Sequence, residues 1–491
     1  MKQHFFINFK ILVITKNFKY FKGIKNKVML GDEGFLAPVS FIEVLNRSLT
    51  GPAASEREFD YKVGSKLREL VKKYEIKYDP ENPIPSDDSL ADDVFKAAIE
   101  FYADVGAYCM DTERRITFTE EEIKEGIKNA PHATLFGEGN EAKIFSARKP
   151  ESKDPPWCHV GAGISVSSEE LLVKLVEGFA SIPETDSISV PTLMEVNGVP
   201  IRTPPLEVYG SIRMIALAHE GMKRAGRPGL PILNLVSTAA SQIAGIAATA
   251  PQFGIKPTDG WLVDAFPDLK IYNDVLTKAA YLLNWGANIG ACYTPLIGGY
   301  SGGPEGTAIM SVAYSINGIM VLKSRYQLYY VSNIINGSSS SRDALWALSV
   351  SAQAISRNIK VPIIHLSYQA ADSATEMLFY EMAAAMLACV ASGISVESNH
   401  PSKAAITDHI LPMESEFYCK VAHAVTGMKR SEANELVKTL LSKYEKDLSN
   451  PPKGKKYQEC YDVKTGKPKE EYLKFYKSIV KKIADLGIPI E

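Results

Sequence analysis

The sequence has no Walker A loop, no HExxH, no paired CxxC motifs and no GxGxxG behind any strand-like segment. Each of those sites needs its residues at a fixed spacing, so nucleotide hydrolysis on a phosphate loop, helical zinc proteolysis and dinucleotide binding are excluded. Cysteine is sparse: Cys109, Cys158, Cys292, Cys389, Cys419 and Cys460 are the only six in 491 residues. So dispersed a set reads as free thiols in a reducing cytosol, which places the protein in the cytoplasm. Cys158 and His159 are neighbours in the chain, and adjacent side chains rarely share one ion, so no metal site is expected. No apolar run is long enough to span a bilayer. Neither charge dominates: 55 Lys and Arg stand against 57 Asp and Glu, a net charge of -2. Nucleic acids and anionic membranes select a basic excess, so neither is expected as a partner.

What is present is material for a large core. The chain is 45% apolar and 23% charged, the profile of a globular protein. Residues 1–28 stand apart, with seven lysines, no acid and one short apolar patch at Ile11–Ile14. They lack the apolar core and cleavage site of a signal peptide. They read as a basic extension upstream of Met29, either a misplaced start or a disordered tail.

Residues 29–156 read as an N-terminal helical cap. Ser89 with Asp92, and Thr119 with Glu122, have the spacing of helix-starting boxes. Val94, Ala98, Phe101 and Val105 then fall on one helical face. The polar, proline-containing segment Lys149–Pro156 reads as a connecting loop.

From Cys158 the texture changes. Strands are expected at Ser187–Val190, Leu230–Val236, Asn288–Tyr293, Tyr326–Ser332, Val361–Tyr368 and Ile394–Glu397. His159–Ile164 and Trp261–Ala265 are weaker candidates. Helices such as Leu206–Arg224, Tyr272–Trp285, Arg342–Arg357 and Ala374–Ala391 lie between them. Strands alternating with helices imply a parallel sheet, and eight such units imply a TIM-like (β/α)8 barrel over 157–429. An open doubly wound sheet is the competing topology. Residues 430–491 read as a C-terminal helical layer.

Two segments call for two readings each, and a third for one. Ser373-x-x-Glu376 fits a helix-starting box, or a carboxylate at a barrel mouth. Gly298–Gly303 holds four glycines in six residues, for special backbone angles or for close approach of a ligand. Ala225–Gly229 (AGRPG) stops a helix and leads into a strand.

Together these segments resemble the monomethylamine:corrinoid methyltransferases. The clearest match is Gln458–Thr465, QECYDVKT, preceded by Gly454-Lys455 and followed by Glu470-Glu471-Tyr472. Cys109–Ile127, AGRPG, the GGYxGG loop at Gly298–Gly303 and Thr375-Glu376-Met377 match as well. The resemblance covers about Tyr61 to Leu486. It implies a TIM-like barrel, a homo-oligomer, and methyl transfer from a methylated amine to Co(I). The cobalamin would be carried by a small partner corrinoid protein, with no cofactor bound by this chain directly.

The resemblance also implies a departure at the centre of the chemistry. Where the family places pyrrolysine, four residues after Gly229, this chain has Leu233. Where the family places a glutamate, about six residues before the GGY motif, it has Cys292. Where the family pairs a glutamine with a tyrosine, it has Leu366 and Tyr368, and only the tyrosine is kept. A stop codon misread as leucine would have left the glutamate and glutamine in place. Leucine offers no electrophile to activate methylamine. A donor that is already cationic, such as a quaternary ammonium or sulfonium, avoids the difficulty by departing as a neutral molecule. Such a donor needs an aromatic or carboxylate-lined pocket, for which Tyr293, Tyr300, Tyr368, Glu305 and Glu376 are the candidates. Two other readings stay open: a non-catalytic binding or regulatory homologue, and monomethylamine demethylation by a route without pyrrolysine.

Overall fold

The computed structural model describes residues 39–265 and 267–490. The expectations for residues 1–28 and the start at Met29 lie outside this range. Four helices open the described chain: α1 (Phe41–Thr50), α2 (Glu56–Lys73), α3 (Asp88–Val105) and α4 (Glu120–Asn129). Thr119 and Glu122 do form a reciprocal capping box at α4. At α3 the cap is Asp87, whose carboxylate accepts from Ser89 N–H at 2.8 Å. Asp92 is drawn instead into a salt bridge with Arg357, 2.9 Å away. That bridge fixes one turn of the cap on the barrel's outer layer.

The main body then alternates strand and helix. In chain order it runs β1 (Cys158–Gly161), α5 (Glu169–Ala180), β2 (Ser187–Ser189), α6 (Pro204–Arg224), β3 (Leu233–Asn234), α7 (Gln242–Gly245) and β4 (Gly260–Ala265). It continues with α8 (Asn273–Trp285), β5 (Asn288–Tyr293), α9 (Pro304–Met320), β6 (Tyr326–Tyr329), α10 (Arg342–Asn358), β7 (Ile363–Tyr368), α11 (Glu376–Ala391) and β8 (Ser395–His400). The eight strands form one parallel sheet in the order β3-β4-β5-β6-β7-β8-β1-β2. A parallel bridge between Ile188 and Ile232 joins its two ends. The sheet therefore closes as a TIM-like barrel rather than lying open. Strand β3 is shorter than its apolar run. Asp259 accepts from Ile232 N–H at 3.0 Å and Val236 turns to a φ of 61°, so pairing stops on both sides.

A hairpin, Ala133–Phe136 with Lys143–Ser146, plugs the N-terminal end of the barrel. Its inward residues Phe136 and Phe145 pack with Trp157 and Tyr326 inside the strands. AGRPG serves this plug. Arg227 grips Glu141 through two hydrogen bonds, at 3.0 and 2.6 Å, and Gly229 O accepts from Glu138 N–H.

The C-terminal part is α12 (Pro412–Ala424), α13 (Arg430–Tyr444), α14 (Tyr457–Cys460) and α15 (Glu470–Asp485). Helices α13 and α15 pack on α11. Between them the QECYDVKT segment straps the loops at the C-terminal ends of the strands. Gln458 donates to Asp408 after β8 at 2.7 Å, and Gly454 N–H donates to Asp372 after β7 at 2.9 Å. Asp408 in turn accepts from Ser167 N–H after β1 at 2.7 Å.

Candidate active site

Successive residues of a strand point to opposite faces, so every second residue enters the barrel. Leu233 on β3, Cys292 on β5, and Leu366 and Tyr368 on β7 all enter it. They share one interior cluster with Leu262, Leu328, Ile364 and Tyr330. Cys292 and Leu366 are 5% and 8% exposed, and Leu233 is fully enclosed. Burial pushes the Cys292 thiol well above its ordinary range, and neighbouring Asp264 adds to the rise. A thiol so placed stays protonated and is a poor nucleophile. The rings of Tyr330 and Tyr368 meet edge to face at 4.7 Å, and the Tyr368 ring stands 5.4 Å from that of His400.

The same two-residue period sends Tyr293 outward. Its hydroxyl donates to Gln327 at 2.9 Å, and its ring stacks on Tyr314 and Tyr329 under the helices. Tyr300 is half exposed beside Asp60 and Lys270, against the helical cap. Glu305 accepts from Tyr78 N–H at 3.2 Å, another tie to that cap. Glu376 starts α11 outside the lumen, bridged to Lys482 at 2.7 Å and accepting from Tyr380 at 2.5 Å. Thr375, not Ser373, precedes the helix, because the Ser373 hydroxyl donates to Lys455 O at 3.0 Å. The glycine loop is held by its own bonds: Gly298 N–H donates to Gly302 O at 2.8 Å, with φ of 90° and 72° at those two residues.

The lumen also contains a polar group that strand patterning did not single out. Glu397 on β8 pairs in register with His159 on β1. Glu397 Oε1 stands 3.8 Å from His159 Nε2 and 3.7 Å from His400 Nε2. All three side chains are buried. Burial pushes the Glu397 carboxyl up to about 8 and holds the His159 and His400 imidazoles down to about 3 and about 4. At neutral pH these three groups are thus largely uncharged, with the Glu397 carboxyl the one nearest to ionising. His159 Nδ1 lies 2.9 Å from Ser187 Oγ, which also accepts from Trp157 Nε1–H at 2.8 Å. Glu397 and His400 are three residues apart and come to the same interior because the β7–β8 register shifts, His365 opposite Val396 but Ser367 opposite Asn399. Plain alternation in the sequence would have put them on opposite faces.

Among the described residues no three His, Cys, Asp or Glu side chains are arranged to hold a metal ion. Two surface clefts of about 400 and 500 Å³ lie elsewhere, one by Trp346 and Asn434, the other by Tyr300. No described helix is long and apolar enough to cross a membrane.

Comparison with known proteins agrees with this architecture. Residues 39–488 match the family described as monomethylamine methyltransferase MtmB. Monomethylamine methyltransferase MtmB1 of Methanosarcina barkeri is 31% identical over 446 residues, covering 90% of this chain and 97% of the relative. MtmB of Methanosarcina mazei is likewise 31% identical over 446 residues. The crystal structure of the M. barkeri enzyme superposes with a TM-score of 0.88 at 30% identity, over 91% of this chain and 98% of that one. The hydroxylamine complex of MtmB gives a TM-score of 0.87. The closed parallel barrel, the C-terminal strap and similarity along nearly the whole length lead to one conclusion: the chain belongs to the monomethylamine methyltransferase MtmB family.

Proposed function

We propose that this protein transfers a methyl group from a cationic methylated amine to the Co(I) cobalamin of a partner corrinoid protein. The observation that carries this reading is the apolar wall around Leu233, at the position the resemblance assigns to pyrrolysine. That wall has no electrophile with which to activate a neutral amine. A cationic donor needs none, because it departs as a neutral amine when its methyl group is displaced. The bound corrinoid supplies the nucleophile.

The chain's own part is to bind and orient the donor and to keep water out, which can lower a barrier by roughly 7–11 kcal/mol. Tyr330 and Tyr368 offer ring surface to a cation, and the acid at Glu397 offers the matching charge. In this reading the corrinoid protein docks over the C-terminal ends of the strands. The loops there carry Met194, Val199, Ile243, Ile334, Ile335 and Ile406, all at least 40% exposed. Exposed apolar side chains grouped in this way mark an interaction surface. The protein works as a homo-oligomer in the cytoplasm, a setting that suits its six free, buried thiols.

The test is to mix the purified chain with a reduced corrinoid protein and a panel of methylated amines and sulfonium compounds, and to follow the cobalt spectrum. Conversion of Co(I) to methyl-cobalt with a cationic donor is expected. If no donor gives it, while a known methyltransferase methylates the same corrinoid protein, the reading is wrong.

A further inference from the structure

We infer that Glu397, His159 and His400 form the nitrogen-binding floor of the barrel. The ligand assigned to this floor is a methylated ammonium that keeps at least one N–H and carries two or three carbon substituents. The inference rests on the proposed function and narrows its donor from cations in general to protonated amines.

The geometry begins with what the three side chains do not do. The separations of 3.8 and 3.7 Å between Glu397 Oε1 and the two imidazole nitrogens are too long for direct hydrogen bonds. Glu397 Oε2 and His159 Nε2 have no hydrogen-bond partner among the described residues. Buried polar atoms are seldom left so, and unmet acceptors cost stability until something fills them. The neighbouring bonds fix what the filler must be. His400 Nδ1 lies 3.0 Å from the carbonyl oxygen of Ser398, which can only accept. In the neutral ring Nδ1 therefore carries the proton, and Nε2 turns its lone pair toward Glu397. His400 Nε2 faces Glu397 Oε1 at 3.7 Å and Glu397 Oε2 is without a partner among the described residues, so once the carboxyl is ionised the two residues present acceptors that call for a donor between them. One N–H nitrogen about 2.9 Å from each acceptor would bridge that gap.

Charge selects the same ligand. No lysine or arginine pairs with Glu397 among the described residues, and both neighbouring imidazoles are neutral. An ammonium would supply the missing charge as the carboxyl gives up its proton. The walls above account for the carbon substituents. Leu233, Cys292, Leu366 and Tyr368 surround the interior with apolar surface. Tyr368 connects that surface to the floor through its contact with the His400 ring. A quaternary ammonium has no N–H and would leave both acceptors unmet. Monomethylammonium has N–H groups to spare and one methyl for a wall that can take more.

Isothermal titration of the full chain tests this with three chlorides: trimethylammonium, monomethylammonium and tetramethylammonium. Trimethylammonium is expected to bind most tightly, by about tenfold over tetramethylammonium, because a site built for a hydrogen bond rejects the analogue that lacks it. Repeating the titration in buffers of different ionisation enthalpy should show release of about one proton per ligand. Glu397→Gln should abolish both the preference and the proton release. Should that variant melt early, His400→Gln offers the same comparison. Equal binding of trimethylammonium and tetramethylammonium by the wild type, or an unchanged preference in folded Glu397→Gln, overturns the inference and leaves the proposed function standing. Failure of every amine to bind overturns both. A stoichiometric divalent metal found in the purified chain and lost in Glu397→Gln would assign the floor to a metal instead.

Discussion

At the scale of single residues the chemistry turns on Leu233. Neutral methylamine would have to expel an amide anion, which is prohibitive, and a leucine side chain forms no adduct that would change the leaving group. Methylammonium would release ammonia, but its single methyl leaves the apolar walls unfilled and the donor poorly held. Cys292 offers no rescue, since its thiol is held protonated and a thioether formed there would be a poor methyl donor. The chain is therefore expected to give no useful cobalt methylation from monomethylamine, even with an active corrinoid partner. Robust turnover, with mass spectrometry confirming leucine at 233, would sink this expectation. Much of the lumen was legible in the sequence. Leu233, Cys292, Leu366 and Tyr368 sit on three strands, the last two both on β7, and the alternation of each strand sends all four inward. The same rule shows why Tyr293 could not join them: it follows Cys292 directly, so the two side chains take opposite faces. Glu397 and His159 were missed because an acid and an imidazole from β8 and β1 are brought side by side only by closure of the barrel.

At the scale of elements, apolar runs located all eight barrel strands, because strands buried on both faces are short, apolar and separated by amphipathic helices. The plug hairpin was not legible. Its strands are four residues each, with Leu135 and Ile144 exposed, and it lies before the barrel in sequence. Only the finished barrel gives Phe136 and Phe145 something to pack against. The division between its two faces is testable. Phe145→Ala should cost about 3–5 kcal/mol, as truncation of a buried aromatic does. Ile144→Ala, at a residue 52% exposed, should change stability by about 0.5 kcal/mol or less. Urea denaturation of the two variants is the measurement. Equal losses would mean that the hairpin does not plug the barrel as described. The box at Ser373 failed for a related reason, since its hydroxyl is taken by Lys455, which lies 82 residues further along the chain. Local spacing carries no word of so distant a competitor.

At the scale of the whole molecule, the buried ionisable groups set how stability follows pH. Among the described residues seven carboxyls are pushed up by burial: Asp268 to about 6, Asp259 and Glu381 to about 7, Glu397 and Glu414 to about 8, and Asp186 and Asp264 likewise upward. Each keeps a proton in the folded chain that the unfolded chain has lost above about pH 4.5. A group of this kind costs the fold stability as pH rises toward its folded value. Four imidazoles act in the opposite sense: burial lowers His159 and His365 to about 3, His400 to about 4, and His219 as well. In the unfolded chain they still bind protons up to about pH 6.5, so they add stability as pH rises to that point. Between about pH 4.5 and 6.5 the imidazoles offset the carboxyls in part. Above that the imidazoles are neutral in both states and the carboxyls act alone. The groups facing Glu397 from β1, β5, β6 and β7 are His159, Cys292, Tyr326 and Tyr368, none of which brings a positive charge at this pH. Stability should then fall from about pH 6.5 to 8, by about 1.4 kcal/mol per pH unit for each carboxyl still protonated in the fold. Above pH 8 the buried amines of Lys278 and Lys323, lowered to about 8, reverse the trend, because the unfolded chain holds their protons to higher pH. Calorimetry from pH 5 to 10 should show a shallow fall in Tm up to about pH 6.5, then a steeper fall to a minimum near 8, then a partial recovery. Glu397→Gln should make the fall shallower across the whole range from about pH 4.5 to 8, because that carboxyl no longer holds its proton in the fold. A Tm that climbs steadily from pH 6.5 to 8 would mean that these carboxyls are charged in the fold, each with a cationic partner.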